Sequence, residues 1–135
     1  MPPTLYSAIY LGALGECVGC YILSKYNIFL SNLDKEKEKF EKFDYRLSHD
    51  IYIDFKNWHY YEKDKEKTLS NIVKKAKIIN AKKIYICNIL FENFETSNTY
   101  KREGIMIVTI PWLFNDVTNK FNEEMISKMK EDYYG

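Results

Sequence analysis

The chain has 135 residues, a formal net charge of +1 and a hydrophobic fraction of 46%, with twelve Tyr and eight Phe. That apolar content excludes intrinsic disorder, and the near-neutral balance gives no sign of a polyanion partner unless the lysines gather on one side. No apolar run reaches the about 18 residues of a membrane span, and TLYSAIYLGALGE lacks the basic start of a secretion signal and is interrupted by Glu16; a soluble, intracellular (cytoplasmic) protein with no membrane partner, folding as one domain over residues 1–135, is the expectation.

Ser7 to about Tyr26 reads as a helix whose Leu14, Val18, Tyr21 and Ile22 form an apolar stripe. Gly12, Gly15 and Gly19 each cost about 1 kcal/mol against Ala in a helix interior, and three in one helix indicate that another backbone approaches closely. Asn27 is the expected stop. Cys17 and Cys20 form a C-x-x-C inside this helix, whereas redox motifs open a helix after a strand. Zinc needs four ligands, and Cys87, His49 and His59 stand at unhelpful spacings. The cysteines therefore read as small buried residues.

Asn27 to Leu30 is a short strand or an irregular entry to one, and LDKEKEKFEK, Leu33 to Lys42, is a charged connector. Phe43, Tyr45 and Leu47 then alternate with Asp44 and Arg46. Ile51, Ile53 and Phe55 alternate with Tyr52, Asp54 and Lys56. This period of two marks two half-buried strands, joined by a turn over Ser48–His49–Asp50. Lys65 to about Ala81 is a helix burying Leu69, Ile72, Val73, Ala76 and Ile79 or Ile78. Lys74, Lys75 and Lys77 lie towards its other side, and Lys82 and Lys83 follow its end.

IYICNIL, Ile84 to Leu90, suits a strand covered on both faces beside a helical crossover. FENFETSNTYKREG is a polar loop, long enough to suggest mobility or contact with a ligand. IMIVTI, Ile105 to Ile110, is another buried strand, ended by Pro111. Val117, Phe121, Met125, Ile126, Met129 and Tyr133 form the stripe of a last helix. The order implies an α/β (α+β) fold, a mixed central sheet flanked by helices.

With a three-residue turn, Leu47 faces Ile51, Arg46 faces Tyr52, Tyr45 faces Ile53 and Asp44 faces Asp54. Opposed side chains in an antiparallel pair sit about 4.5–5.5 Å apart at Cβ, and like charges so placed destabilise it. Three outcomes relieve the conflict: one carboxylate is protonated, Lys56 and Arg46 on the same face offset the charge, or a divalent cation sits between the acids. Two carboxylates suit Mg²⁺, which leaves water and phosphate to complete its octahedron. A one-residue slip of register removes the site.

Asp44, followed after nine residues by Asp54-Phe55-Lys56, resembles the D…(D/E)-x-K signature of the PD-(D/E)XK nuclease superfamily. That resemblance implies a restriction-endonuclease-like α-β-β-β-α-β core, here with a C-terminal strand and helix added. Phe43 stands where the name-giving proline would be, and Asp54 replaces the commoner glutamate. The resemblance further implies that Asp44, Asp54 and the Phe55 carbonyl hold Mg²⁺ or Mn²⁺ and that Lys56 positions the nucleophilic water. Glu16, on the preceding helix, would bind a second metal or a metal-bound water. The expected activity is hydrolysis of phosphodiester bonds in DNA, with RNA as an open alternative. Lys74, Lys75 and Lys77 are candidate phosphate contacts, against the plainer reading of a solvated helix face. Trp58, Tyr60 and Tyr61 could stack on bases or simply pack. The competing reading is a non-cleaving nucleic-acid-binding or protein-interaction module on the same fold. A further expectation is that the domain is a module of a larger helicase or restriction-type protein.

Overall fold

Strand alternation presents two apolar sides to be covered, and the fold covers both. The computed structural model describes residues 18–33, 43–56, 65–88, 97–115 and 118–135. Six strands form one sheet: β1 (Ser31–Asn32), β2 (Tyr45–Ser48), β3 (Ile51–Lys56), β4 (Lys83–Asn88), β5 (Asn98–Arg102) and β6 (Ile105–Ile110), in the spatial order β1-β2-β3-β4-β6-β5. β1, β2 and β3 are antiparallel neighbours; β3, β4 and β6 run parallel; β5 returns antiparallel along β6. Parallel neighbours need a crossover. Helix α2 (Lys65–Ile78) supplies the one between β3 and β4. Helix α1 occupies residues 18–25, and α3 spans Glu123–Tyr134. No helix among the described residues is long and apolar enough to cross a membrane.

Odd and even positions of the central strands feed two cores. Ile53, Phe55, Tyr85, Cys87, Val108 and Ile110 pack with Ile22 and Leu23 of α1 and with Met125, Ile126 and Met129 of α3. Tyr52, Ile84, Ile86, Ile105 and Ile107 face the opposite way, onto Leu69, Ile72, Val73 and Ala76 of α2. Burial of Leu69, Ile72 and Val73 contributes about 1.5–3 kcal/mol each. The α2 stripe is as the periodicity predicts, with Ile79 buried and Ile78 exposed. Helices α1 and α2 each close on an asparagine. Asn27 (φ 64°) and Asn80 (φ 56°) take the left-handed conformation, while Ile28 N–H reaches Leu23 O and Ala81 N–H reaches Ala76 O. This satisfies carbonyls that a helix C-terminus otherwise leaves open.

Several expectations are corrected. In α1, Val18 and Tyr21 are exposed and the buried face is Gly19, Ile22 and Leu23; the glycine lets the helix press on the sheet along that side. Leu14 and the earlier part of the expected helix lie outside the described residues. The hairpin turn has two residues, His49 and Asp50, not three, and Ser48 rather than Leu47 pairs with Ile51. The slip this would cause is absorbed by a bulge between Arg46 and Ser48, so Arg46↔Tyr52 and Tyr45↔Ile53 pair as expected. Bulges add one unpaired residue to one strand. Phe43 does not share the face of Tyr45 and Leu47. It joins the α2 core, with its ring 5.8 Å from that of Tyr52.

The second half of the expected polar loop is strand β5, joined to β6 by Glu103 (φ 51°) and Gly104 (φ 82°). Two successive positive φ angles make the mirror-image turn favoured by tight hairpins. Phe121 is not helical. It belongs to a small ladder of β7 (Phe114–Asn115) with β8 (Lys120–Phe121), after which Asn122 caps α3 by accepting from Met125 N–H. Val117 lies outside the described residues.

Candidate functional site

Extended one pair beyond Tyr45↔Ile53, the hairpin register sets Asp44, just before β2, opposite Asp54 of β3. The two side chains are cross-linked through the main chain. Asp44 N–H donates to Asp54 Oδ1 at 2.7 Å, and Phe55 N–H donates to Asp44 Oδ2 at 3.0 Å. Each carboxylate thus clasps the backbone of the opposite strand at the open end of the hairpin. Oδ1 of Asp44 and Oδ2 of Asp54 remain outside this clasp.

Alternation explains where Asp54 falls. Ile53 and Phe55 turn to the α1/α3 core, so the residue between them faces the side of Tyr52, in register with Ile86 of β4. Asp54 is only 6% exposed and Asp44 is half-buried. A carboxylate so buried needs donors or cations to offset lost hydration, and the Asp44 N–H is one such donor. Arg46 lies two residues from Asp44 along the hairpin. Its guanidinium stands 5.5 Å from the Tyr52 ring centroid, and its Nη2 donates to the Tyr52 hydroxyl at 3.4 Å.

Cys87, the register partner of Phe55, is fully buried. Burial, and after it the charge of Asp54, pushes its thiol well above the ordinary range. It is therefore a neutral packing group rather than a nucleophile. Cys20 is half-buried, and Cys17 lies outside the described residues.

Among the described residues, no group of three or more His, Cys, Asp and Glu side chains gathers to hold a metal. The donor set is the Asp44–Asp54 pair. Zinc would want three or four protein ligands, whereas Mg²⁺ is held by one or two carboxylates with water and phosphate as the rest. The pair therefore fits a hard divalent cation of the latter kind. The Lys56 main chain closes β3 opposite Asn88. Its side chain lies outside the described residues, as do Glu16, Trp58, His59, Tyr60 and Tyr61. His49, in the turn, is exposed.

The three candidate lysines of α2 are all exposed, but they are not equivalent. Lys77 is in a salt bridge to Glu103 of the β5–β6 turn, at the end of the sheet where β3 begins rather than where Asp54 stands. Lys74 and Lys75 project from the solvent face of α2.

One constellation went unread in the sequence. Asp132 Oδ2 of α3 accepts from Lys83 Nζ at 2.6 Å and from the Tyr85 hydroxyl. Lys83 and Tyr85 alternate on β4, the single local hint, and Asp132 lies far along the chain. Burial, then the hydrogen bond from its hydroxyl to Asp132, holds the Tyr85 phenol far above its ordinary range.

Comparison of the sequence with protein-family models gives no match, and comparison with curated proteins gives none either.

Proposed function

We propose that the Asp44–Asp54 end of the hairpin is the metal-binding centre of a PD-(D/E)XK-type nuclease that hydrolyses phosphodiester bonds in DNA with Mg²⁺ or Mn²⁺. The observation that carries this reading is the reciprocal clasp, which draws two carboxylates together on adjacent strands, one of them buried. The succession α1-β1-β2-β3-α2-β4, with β3 and β4 parallel, is the order expected of the family core and supports the same reading.

Asp44 and Asp54 would hold the cation, with the Phe55 carbonyl as a further oxygen donor. When bound, the cation polarises a phosphoryl oxygen and stabilises the charge that develops on it. Lys56 orients the attacking water and offsets negative charge beside it. Glu16 holds a second cation or its water. Lys74 and Lys75 contact phosphates, while Lys77 serves the fold through Glu103. DNA as substrate follows from the resemblance, and RNA is a parallel arm of the test. That this domain works within a larger helicase or restriction-type protein remains part of the same proposal.

A second reading has its own observation. Each acid spends an oxygen on main-chain N–H, so the clasp also serves a structural end in a non-cleaving binding module. The two separate on cleavage. Plasmid, single-stranded DNA and RNA are incubated with the protein and Mg²⁺ or Mn²⁺, then with Asp54→Ala and Lys56→Ala. The nuclease reading expects cleavage that either substitution lowers by about 100-fold or more. Cleavage indifferent to both removes the assignment, and binding without cleavage favours the module.

A further inference from the structure

We infer that Gly19 of α1 is a positioning residue for the hairpin site, acting through the ring and main chain of Phe55. This rests on the assignment of Asp44 and Asp54 as the metal-binding pair.

Glycine is a poor helix former, costing about 1 kcal/mol against alanine in a helix interior, yet Gly19 is buried within α1. The reason is space. A Cβ added there would lie 2.5 Å from Phe55 Cε1, 2.7 Å from Cδ1 and 2.8 Å from Cζ. The helix therefore presents a notch in which the Phe55 ring sits. The ring has little room to withdraw. Phe55 is 8% exposed, the Tyr45 ring meets it edge-on at 6.0 Å, and Ile53 and Cys87 share its core.

Packed interiors transmit such displacements instead of absorbing them. Phe55 is also the residue whose N–H holds Asp44 Oδ2, and it directly follows Asp54, whose Oδ1 holds the Asp44 N–H. A shift of the Phe55 main chain thus reaches both arms of the clasp. The contact between α1 and the Phe55 ring sets where the Asp44 carboxylate stands.

The test uses the full chain and a double-mutant cycle of Gly19→Ala and Phe55→Leu, each variant checked for a cooperative melt. The first readout is hydrogen exchange of the residue-55 amide, which needs no activity. Gly19→Ala is expected to lower its protection at least 10-fold, and much less in the Phe55→Leu background, where the ring is gone. The second readout is Mn²⁺-supported cleavage. Gly19→Ala is expected to lower kcat at least 10-fold with KM for DNA within about 2-fold, because misplacing a catalytic group costs turnover more than binding.

Unchanged protection in Gly19→Ala overturns the inference. So does an equal loss in both backgrounds, which means that the ring does not carry the effect. Lost protection in a protein that neither binds Mn²⁺ nor cleaves leaves the positioning intact and removes the metal-site assignment. Should Gly19→Ala fail to fold, Phe55→Leu alone replaces it. That substitution removes the contact without adding atoms, and undiminished amide protection would again overturn the inference.

Discussion

Asp44 and Asp54 stand opposed, and like charges so placed destabilise an antiparallel pair. The clasp offsets that cost by giving each carboxylate a main-chain donor. Asparagine separates the two effects at Asp44. Its side-chain oxygen still accepts from Phe55 N–H, but the charge is gone. Without divalent ions, Asp44→Asn is expected to melt at or above the wild-type temperature, and to lose any rise in melting temperature that Mg²⁺ produces in the wild type. Asp44→Ala removes the acceptor as well and is expected to cost about 1–3 kcal/mol. Thermal melts with and without Mg²⁺ read both. If Asp44→Asn is as unstable as Asp44→Ala, the charge is needed for the fold and the acids are structural. The pairing of these residues was legible in the alternation of β2 and β3. The bulge at Leu47 was not, because a two-residue turn with one bulged residue leaves the same outward register as a three-residue turn without one.

The β5–β6 hairpin shows where local pattern falls short. β5 is polar and mostly exposed, with only Tyr100 packed against the α2 core, so nothing in its composition separates it from a loop. It is a strand because β6 offers a full edge and Glu103–Gly104 turns tightly onto it. Gly104 is required there for its backbone alone, since an added Cβ meets nothing within 4 Å. Gly104→Ala should therefore cost about 1–2 kcal/mol of pure conformational strain, measured by urea denaturation, and Gly104→Asn distinctly less. Equal stability of all three would mean that the turn relaxes out of its left-handed conformation. Arg102 to Glu66 and Lys77 to Glu103 then tie the hairpin to α2. Exposed pairs of this kind add little stability.

Three layers give the protein two cores, and the Lys83–Tyr85–Asp132 cluster fastens one of them, joining α3 to the centre of the sheet. Removing the buried hydroxyl with Tyr85→Phe should cost about 1.5–3 kcal/mol at neutral pH, the range for a hydrogen bond to a charged group. The phenol titrates from an ordinary value of 10.0 when unfolded and much higher when folded. Above pH 10 the unfolded chain loses this proton while the folded one keeps it, so the contribution of Tyr85 is fully present below pH 10 and declines above it. The stability gap between wild type and Tyr85→Phe should accordingly narrow as pH rises from 9 to 11. A gap that stays constant or widens would show that the phenol is not held protonated by the fold.

Periodicity settled the mixed sheet, the α2 stripe, the buried β4 and β6 and the facing of Asp44 with Asp54, because each depends on neighbours two to four residues apart or on a short hairpin. Tertiary contact decided the rest. Val18 and Tyr21 lie outward because Gly19 admits the Phe55 ring on the other side of α1. Phe43 leaves its strand's face for Tyr52. Asp132 meets Tyr85 across 47 residues. Such choices turn on which surface happens to be available once the layers meet, and a chain read locally does not contain that surface.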